Sequence, residues 1–119
     1  MAAHNELGKK GEQLAIEYLI KKEYKILERN YRYKKAEVDI LAQKEDELIV
    51  IEVKTRSTNH FGNPEEFVNY KKIKLLTEAV DYYINERDLD VEVRFDIIGI
   101  TDSKPNPKLT HIKDAFLFL

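Results

Sequence analysis

The side chains in this chain that could do chemistry together are the carboxylates of Glu37-Val38-Asp39 and, thirteen residues after Asp39, those of Glu52-Val53-Lys54. Acids that converge beside a lysine can hold a hard divalent cation and act on a phosphate ester, since carboxylate oxygens suit Mg²⁺ and an ammonium suits developing negative charge. Each acid lies in an apolar, β-branched run, Val38-Asp39-Ile40-Leu41-Ala42 and Leu48-Ile49-Val50-Ile51-Glu52-Val53, and Lys44-Glu45-Asp46-Glu47 lies between the runs. Such runs around a polar turn read as two strands of a hairpin. With Lys44 to Glu47 as the connection, Gln43 faces Leu48, Asp39 faces Glu52 and Glu37 faces Lys54. Directly opposite residues have Cβ atoms about 4.5–5.5 Å apart, so the two carboxylates would nearly touch.

Side chains alternate across a strand. One face of the hairpin then carries Val38, Ile40, Ala42, Ile49, Ile51 and Val53, wholly apolar and therefore core. The other carries Glu37, Asp39, Glu52 and Lys54 far from the turn, with Leu41, Leu48 and Val50 nearer to it. Like charges placed opposite each other destabilise a sheet, and Lys54 alone does not offset three acids. A divalent metal would, held by one or two carboxylates and completed by water and substrate phosphate. The alternative is a solvated sheet end whose charges face water, and a bulge in the turn would move these side chains to opposite faces.

The flanking elements follow from periodicity. Glu6 to Lys22 reads as an amphipathic helix with Leu7, Gly11, Leu14, Ala15, Tyr18 and Leu19 on one stripe and Glu12 at its border. Gly8 and Gly11 weaken helix propensity, and their placement on one side points to close approach of another backbone or a ligand. Tyr24 to Tyr33 reads as a strand leading into the hairpin. Thr55 to Pro64 reads as a loop. Glu65 to Glu86 reads as a second helix, opened by acidic residues after Pro64 and buried along Ile73, Leu76, Val80, Tyr83 and Ile84. Val91 to Ile100 alternates as a strand, Ser103 to Pro107 is a turn, and Ile112 to Leu119 is a last strand. The order helix, three strands, helix, two strands predicts an α/β domain with a mixed sheet of about five strands flanked by helices.

At 119 residues the chain is expected to be one domain with a single core. It has no cysteine, which excludes disulfides, thiolate metal sites and cysteine nucleophiles. No apolar leader or membrane-length run is present, which predicts a cytoplasmic protein. The formal net charge of −2 argues against coating nucleic acid by electrostatics alone. Lysine pairs at Lys9-Lys10, Lys21-Lys22, Lys34-Lys35 and Lys71-Lys72 allow a local basic surface, though such pairs commonly sit on solvated faces.

An acid on the first helix, Asp39 on the second strand and Glu52-Val53-Lys54 on the third together resemble the PD-(D/E)XK nuclease fold of type II restriction endonucleases and archaeal Holliday junction resolvases. The chain is most similar to the YraN family, uncharacterised bacterial proteins assigned to that endonuclease-like fold. The residues that carry this are Gly11-Glu12 with Ala15 and Tyr18-Leu19, Arg29-Asn30-Tyr31-Arg32, Glu37-Val38-Asp39-Ile40 and Val50 to Arg56. Phe61-Gly62-Asn63-Pro64, Lys71, Arg94-Phe95-Asp96 and the ending from His111-Ile112 to Ala115-Phe116 continue it. Ala36 departs from the family's usual glycine, and Lys72 stands where many relatives have glutamine or a basic residue. The resemblance implies one endonuclease-like domain over residues 1–119 and a nuclease that uses Mg²⁺ or Mn²⁺. Asp39, Glu52 and the Val53 carbonyl would ligate the metal, and Glu12 would do so directly or through water. Lys54 would position the attacking water and stabilise the phosphorane.

Other candidates have plainer readings beside functional ones. Glu37 shares the acidic face and could instead pair with Lys54 or Arg56. Arg56, Lys71 and Lys72 could reach phosphates or simply be solvated. Tyr31 and Tyr33 interleave with Arg32 and Lys34 as nucleic-acid surfaces do, and strand packing is the preferred reading. His4, His60 and His111 read as isolated loop or surface histidines. Arg94 and Asp96 read as an ion pair on the outer face of their strand. The leading expectation is a metal-dependent nuclease on structured or branched DNA. The alternative is a nucleic-acid-binding or partner-binding module with the same fold and little or no turnover. A homodimer, which suits cutting of two strands, and a monomer recruited by another protein both fit the sequence.

Overall fold

The computed structural model describes residues 2–56, 69–102 and 105–116, the first four of them by backbone alone. The elements are α1 (Ala2–Lys21), β1 (Lys25–Tyr33), β2 (Ala36–Lys44), β3 (Glu47–Arg56), α2 (Tyr70–Arg87), β4 (Glu92–Thr101) and β5 (Lys108–Phe116). This is the order expected from the sequence. The strands form one mixed sheet in the order β1-β2-β3-β4-β5. Only β3 and β4 run parallel, and the other neighbours are antiparallel. A parallel neighbour requires a long crossover rather than a tight turn, and the connection through α2 supplies it.

Both faces of the sheet are buried. On one, Leu41, Leu48, Val50 and Phe95 pack against Leu76, Ala79, Val80 and Tyr83 of α2. On the other, Ile40, Ala42, Ile49, Ile51, Ile98 and Ile100 pack against Ala15, Ile16 and Leu19 of α1. The near-continuous apolar runs of β2 and β3 are what such double coverage demands.

The β2–β3 hairpin has the expected register, from Lys44↔Glu47 and Gln43↔Leu48 to Ile40↔Ile51. Its side-chain parity does not hold throughout. Val38 packs on the α2 side, whereas Ile40 packs on the α1 side; simple alternation placed them together. The cause lies one strand over. Asn30, between the pairs Arg29↔Ile40 and Tyr31↔Val38, has φ 52°, a left-handed conformation that asparagine tolerates better than most residues. Before it, Arg29 reaches Gln13 of α1. After it, Tyr31 meets Tyr83 of α2 edge-on. The sheet therefore changes faces at the level of Asp39.

Both helices end in the same way. At α1, Tyr24 N–H bonds the Leu19 carbonyl and Glu23 N–H the Ile20 carbonyl, both at 2.9 Å, with Glu23 left-handed at φ 68°. At α2, Leu89 N–H bonds Ile84 and Asp88 N–H bonds Asn85, with Asp88 left-handed. These are Schellman closures with charged residues where glycine is usual.

The start of α2 corrects the expectation of a helix from Glu65 opened by acids. Asn69 is extended (φ −95°, ψ 175°), its side chain accepts the Lys72 N–H, and no acid occupies the first turn. An asparagine N-cap satisfies a helical donor that would otherwise be orphaned, so the helix begins at Tyr70. Thr55 and Arg56, expected to open the loop, still belong to β3, and the rest of that expected loop, with His60 in it, and positions 65–68 lie outside the described residues. Strand β5 begins at Lys108 rather than Ile112, because Thr101↔Lys108 already pairs, and its register shifts between Phe95 and Ile97 of β4. Among the described residues, no helix is long and apolar enough to cross a membrane.

Candidate active site

Strands β2 and β3 stop pairing regularly after Ile40↔Ile51. At the next step the Asp39 carboxylate accepts the Val53 N–H through Oδ2 at 2.8 Å. A cavity of about 220 Å³ lies here. α1 lines it with Leu7, Gly8 and Glu12, β2 with Asp39, β3 with Glu52 through Arg56, and α2 with Lys72. Of the site residues expected from sequence, Glu12, Asp39, Glu52, Val53, Lys54, Arg56 and Lys72 thus border one cleft.

Gly11 permits this convergence. A Cβ there would collide with the Thr55 side chain, so only glycine lets α1 lie this close to β3 and hold Glu12 at the cleft. The close approach expected of the two helix glycines is made by Gly11; a Cβ on Gly8 would meet nothing within 4 Å.

Burial sets the electrostatics. Glu52 is only 4% exposed. Its Oε2 accepts a charged hydrogen bond from Lys72 Nζ at 2.8 Å, and its buried Oε1 has no hydrogen-bond partner among the described residues. Burial, and then the negative charge of Asp39, push the Glu52 carboxyl up to about 7, against the pull of Lys72. Asp39 is raised by burial as well, opposed by the Val53 N–H and by Lys72. Glu12 is raised by burial and by Asp39, opposed by the Asn30 amide, which donates to Glu12 Oε1 at 3.3 Å. All three acids are raised first by burial, and Glu12 and Glu52 further by the charge of Asp39, which makes this a site short of positive charge.

Among the described residues, no three acidic or histidine side chains gather as a ready-made metal cage. The donors on offer are two carboxylates, Asp39 and Glu52, backbone oxygen such as the Val53 carbonyl, and Glu12 farther out. That set suits Mg²⁺, which is typically held by one or two carboxylates and keeps several waters. The unpartnered Oε1 of Glu52 is the oxygen such an ion would satisfy.

Two expected site residues lie apart. Glu37 pairs with Arg32 at 2.8 Å, not with Lys54 or Arg56, because the change of face at Asp39 breaks the parity that aligned them. It borders an adjoining cavity of about 370 Å³ together with Lys35, Asp39 and Lys72. Lys71 is exposed on α2 and borders neither cavity. Tyr31 packs on Tyr83 and Tyr33 stacks on Tyr82 at 4.4 Å between centroids, in line with strand packing.

Arg94, Asp96 and His111 require correction. Asp96 is 1% exposed, not on an outer face, because α1 and β5 cover that side of β4. Arg94 grips both its oxygens at 2.9 Å, and the Asp114 N–H adds a third bond. His111 donates from Nε2 to Asp96 at 2.7 Å and accepts the Tyr18 hydroxyl at Nδ1 at 2.9 Å, so it is neither isolated nor on the surface. Burial works against the Asp96 charge, but the bonds from His111, Arg94 and Asp114 outweigh it and hold the carboxyl below its usual range. Sequence reasoning gave no such role to Tyr18, which helical spacing marked as core, or to Asn30, although both stand among the residues that carry the family resemblance.

Residues 11–100 match the profile of a family described as "Uncharacterised protein family UPF0102". The chain is 62% identical to a UPF0102 protein of Christiangramia forsetii over 118 residues, 99% of each chain. It is 58% identical to one of Flavobacterium johnsoniae, covering 98% of each, and 46% identical to one of Thermodesulfovibrio yellowstonii, covering 96% of this chain and 98% of that one. With a match that includes Glu12, the strands that carry Asp39 and Glu52, and α2, this chain belongs to the uncharacterised protein family UPF0102.

Proposed function

We propose that this protein is a divalent-metal-dependent nuclease that hydrolyses phosphodiester bonds in structured or branched DNA. The observation that carries the reading is Glu52: buried, one oxygen held by Lys72, the other without a partner among the described residues, and Asp39 beside it. A buried carboxylate oxygen left unsatisfied is costly, and a bound cation is the partner that its charge and burial call for. Mg²⁺ or Mn²⁺ would be held by Asp39, Glu52 and the Val53 carbonyl, with Glu12 acting through water. When bound, the ion would supply Lewis acidity and lower the pKa of a coordinated water.

The chain's own residues do the rest. Lys54 follows Glu52 and Val53 into the same cleft, where its ammonium orients the attacking water and offsets charge on the pentacoordinate phosphorus. Arg56 and Lys72 contact flanking phosphates. The Val53 N–H fixes the Asp39 carboxylate, so the ligand is oriented before substrate arrives. The resemblance to PD-(D/E)XK nucleases supports the same assignment, though fold likeness alone does not establish activity.

One observation favours a second reading, a module that binds nucleic acid or a partner without turnover: the net charge of −2 gives no broad electrostatic affinity for DNA. Cleavage of linear, flapped and four-way DNA with Mg²⁺ or Mn²⁺ separates the two. Metal-dependent nicking lost in Asp39→Asn supports the nuclease. Binding without cleavage on every substrate supports the module.

A further inference from the structure

Lys72 occupies an unusual place. It stands in the first turn of α2, where its backbone N–H is fixed by the Asn69 cap at 2.9 Å. From there its side chain, 38% exposed, crosses to a Glu52 side chain that is 5% exposed. It also borders both cavities, the one that holds Glu12 and Lys54 and the adjoining one that holds Lys35 and Glu37. The ammonium thus sits between two spaces, with one of the metal-facing carboxylate oxygens as its present partner.

We propose that Lys72 is the resident counter-ion of Glu52, displaced by the incoming divalent ion and thereby released to take a phosphate of the nucleic acid. This rests on the metal-dependent reading of the site. Until the ion arrives, the ammonium is the cation bonded to Glu52, at Oε2. A divalent cation on Oε1 and an ammonium on Oε2 of the same carboxylate repel each other strongly in a poorly solvated cleft. The ion therefore enters as Lys72 leaves. The lysine's flexible stem, with its compact point charge, can swing toward the adjoining cavity without moving α2, whose start is pinned by Asn69. Phosphate-binding charge then becomes available only in the metal-loaded protein, which links the two binding events, and linkage of this kind is reciprocal. Glutamine at this position would keep the hydrogen bond to Glu52 and lose the charge.

The test is Mn²⁺ titration of the full chain without nucleic acid, with free Mn²⁺ followed by electron paramagnetic resonance. Lys72→Gln and Lys72→Met, checked for folding by circular dichroism, should each bind Mn²⁺ about fivefold to tenfold more tightly than wild type, the lower end of common coupling strengths. Equal or weaker binding in a folded variant, with wild type binding normally, overturns the proposal and leaves the metal site intact. Failure of wild type to bind Mn²⁺ overturns the metal-dependent reading itself, and the proposal with it. Reductive methylation of wild type gives a check that needs no variant. Mg²⁺ should raise the labelling rate of Lys72 severalfold relative to Lys74, exposed on the same helix. An unchanged ratio overturns the exchange.

Discussion

The Val53 N–H is bonded to the Asp39 carboxylate at 2.8 Å, so a side chain closes the hairpin at the point where its regular pairing ends. One residue thereby serves two needs, satisfying a backbone donor and presenting an oxygen to the cleft. The two can be separated. Asp39→Asn keeps an acceptor for Val53 and removes the charge, and should lose the metal-induced rise in Tm at little cost in metal-free stability. Asp39→Ala also orphans the N–H and should lower metal-free stability by about 1–3 kcal/mol. Calorimetry with and without Mn²⁺ distinguishes the two, and equal stability of both variants would refute the double role.

Glu52 makes the metal-free protein sensitive to pH. Its carboxyl rises from 4.5 to about 7 on folding, so the folded state holds its proton more tightly than the unfolded state. Its contribution to stability is full below about 4.5 and is lost as pH climbs to about 7. A shift of that size corresponds to about 3 kcal/mol. Wild type should therefore lose stability relative to Glu52→Gln across this window, and Mg²⁺ should suppress the difference. Parallel urea midpoints for the two proteins from pH 4 to 8 would disprove it.

Asp96 has the opposite sign. Held below its usual range, it contributes stability that is present above the ordinary carboxylate pKa and is lost as pH falls through the depressed value. Asp96→Asn leaves Arg94 with Glu47 as its charged partner and should cost about 1–3 kcal/mol, the loss of charged hydrogen bonds. Mn²⁺ affinity should stay unchanged, since neither Asp96 nor its partners line the cleft proposed to hold the ion. Weakened Mn²⁺ binding in this variant would show that the two clusters are coupled.

Lys54→Ala should still bind Mn²⁺ and branched DNA, with cleavage slowed by about 10²–10³, the usual effect of removing one preorganised charge-stabilising group. Lys54→Arg should recover only part of the rate, because a planar guanidinium does not reproduce a compact ammonium. Single-turnover cleavage measures both, and full activity in Lys54→Ala would remove the lysine from the reaction.

The element order and the hairpin register were legible because they rest on local signals, namely β-branched runs, a four-residue connection and helical stripes, whereas the expectation that Glu12 joins Asp39 and Glu52 at one cleft came from the family resemblance. Side-chain parity beyond Ile40 was not legible, since it turns on the backbone of Asn30 in a neighbouring strand. Nor was the pairing of His111 with Asp96 and Tyr18, which joins α1, β4 and β5 from distant parts of the chain. The start of α2 was misplaced because Pro64 and the following acids are a weaker signal than the Asn69 cap.

The unequal connections of β3 also bear on folding. Its pairing with β2 closes a loop of a few residues, whereas its parallel pairing with β4 joins Glu47 to Glu92. Short loops close far sooner than long ones reward their entropy cost. Asp39 and Glu52 therefore meet first in a solvent-open hairpin, where water screens their repulsion, and are desolvated only when β4 and the helices dock. The electrostatic cost of the site is thus expected late in folding, so neutralising Glu52 should slow unfolding and leave the folding rate nearly untouched. Stopped-flow chevrons of Glu52→Gln would show a shifted unfolding limb; a shifted folding limb would mean that the acids are already buried at the barrier.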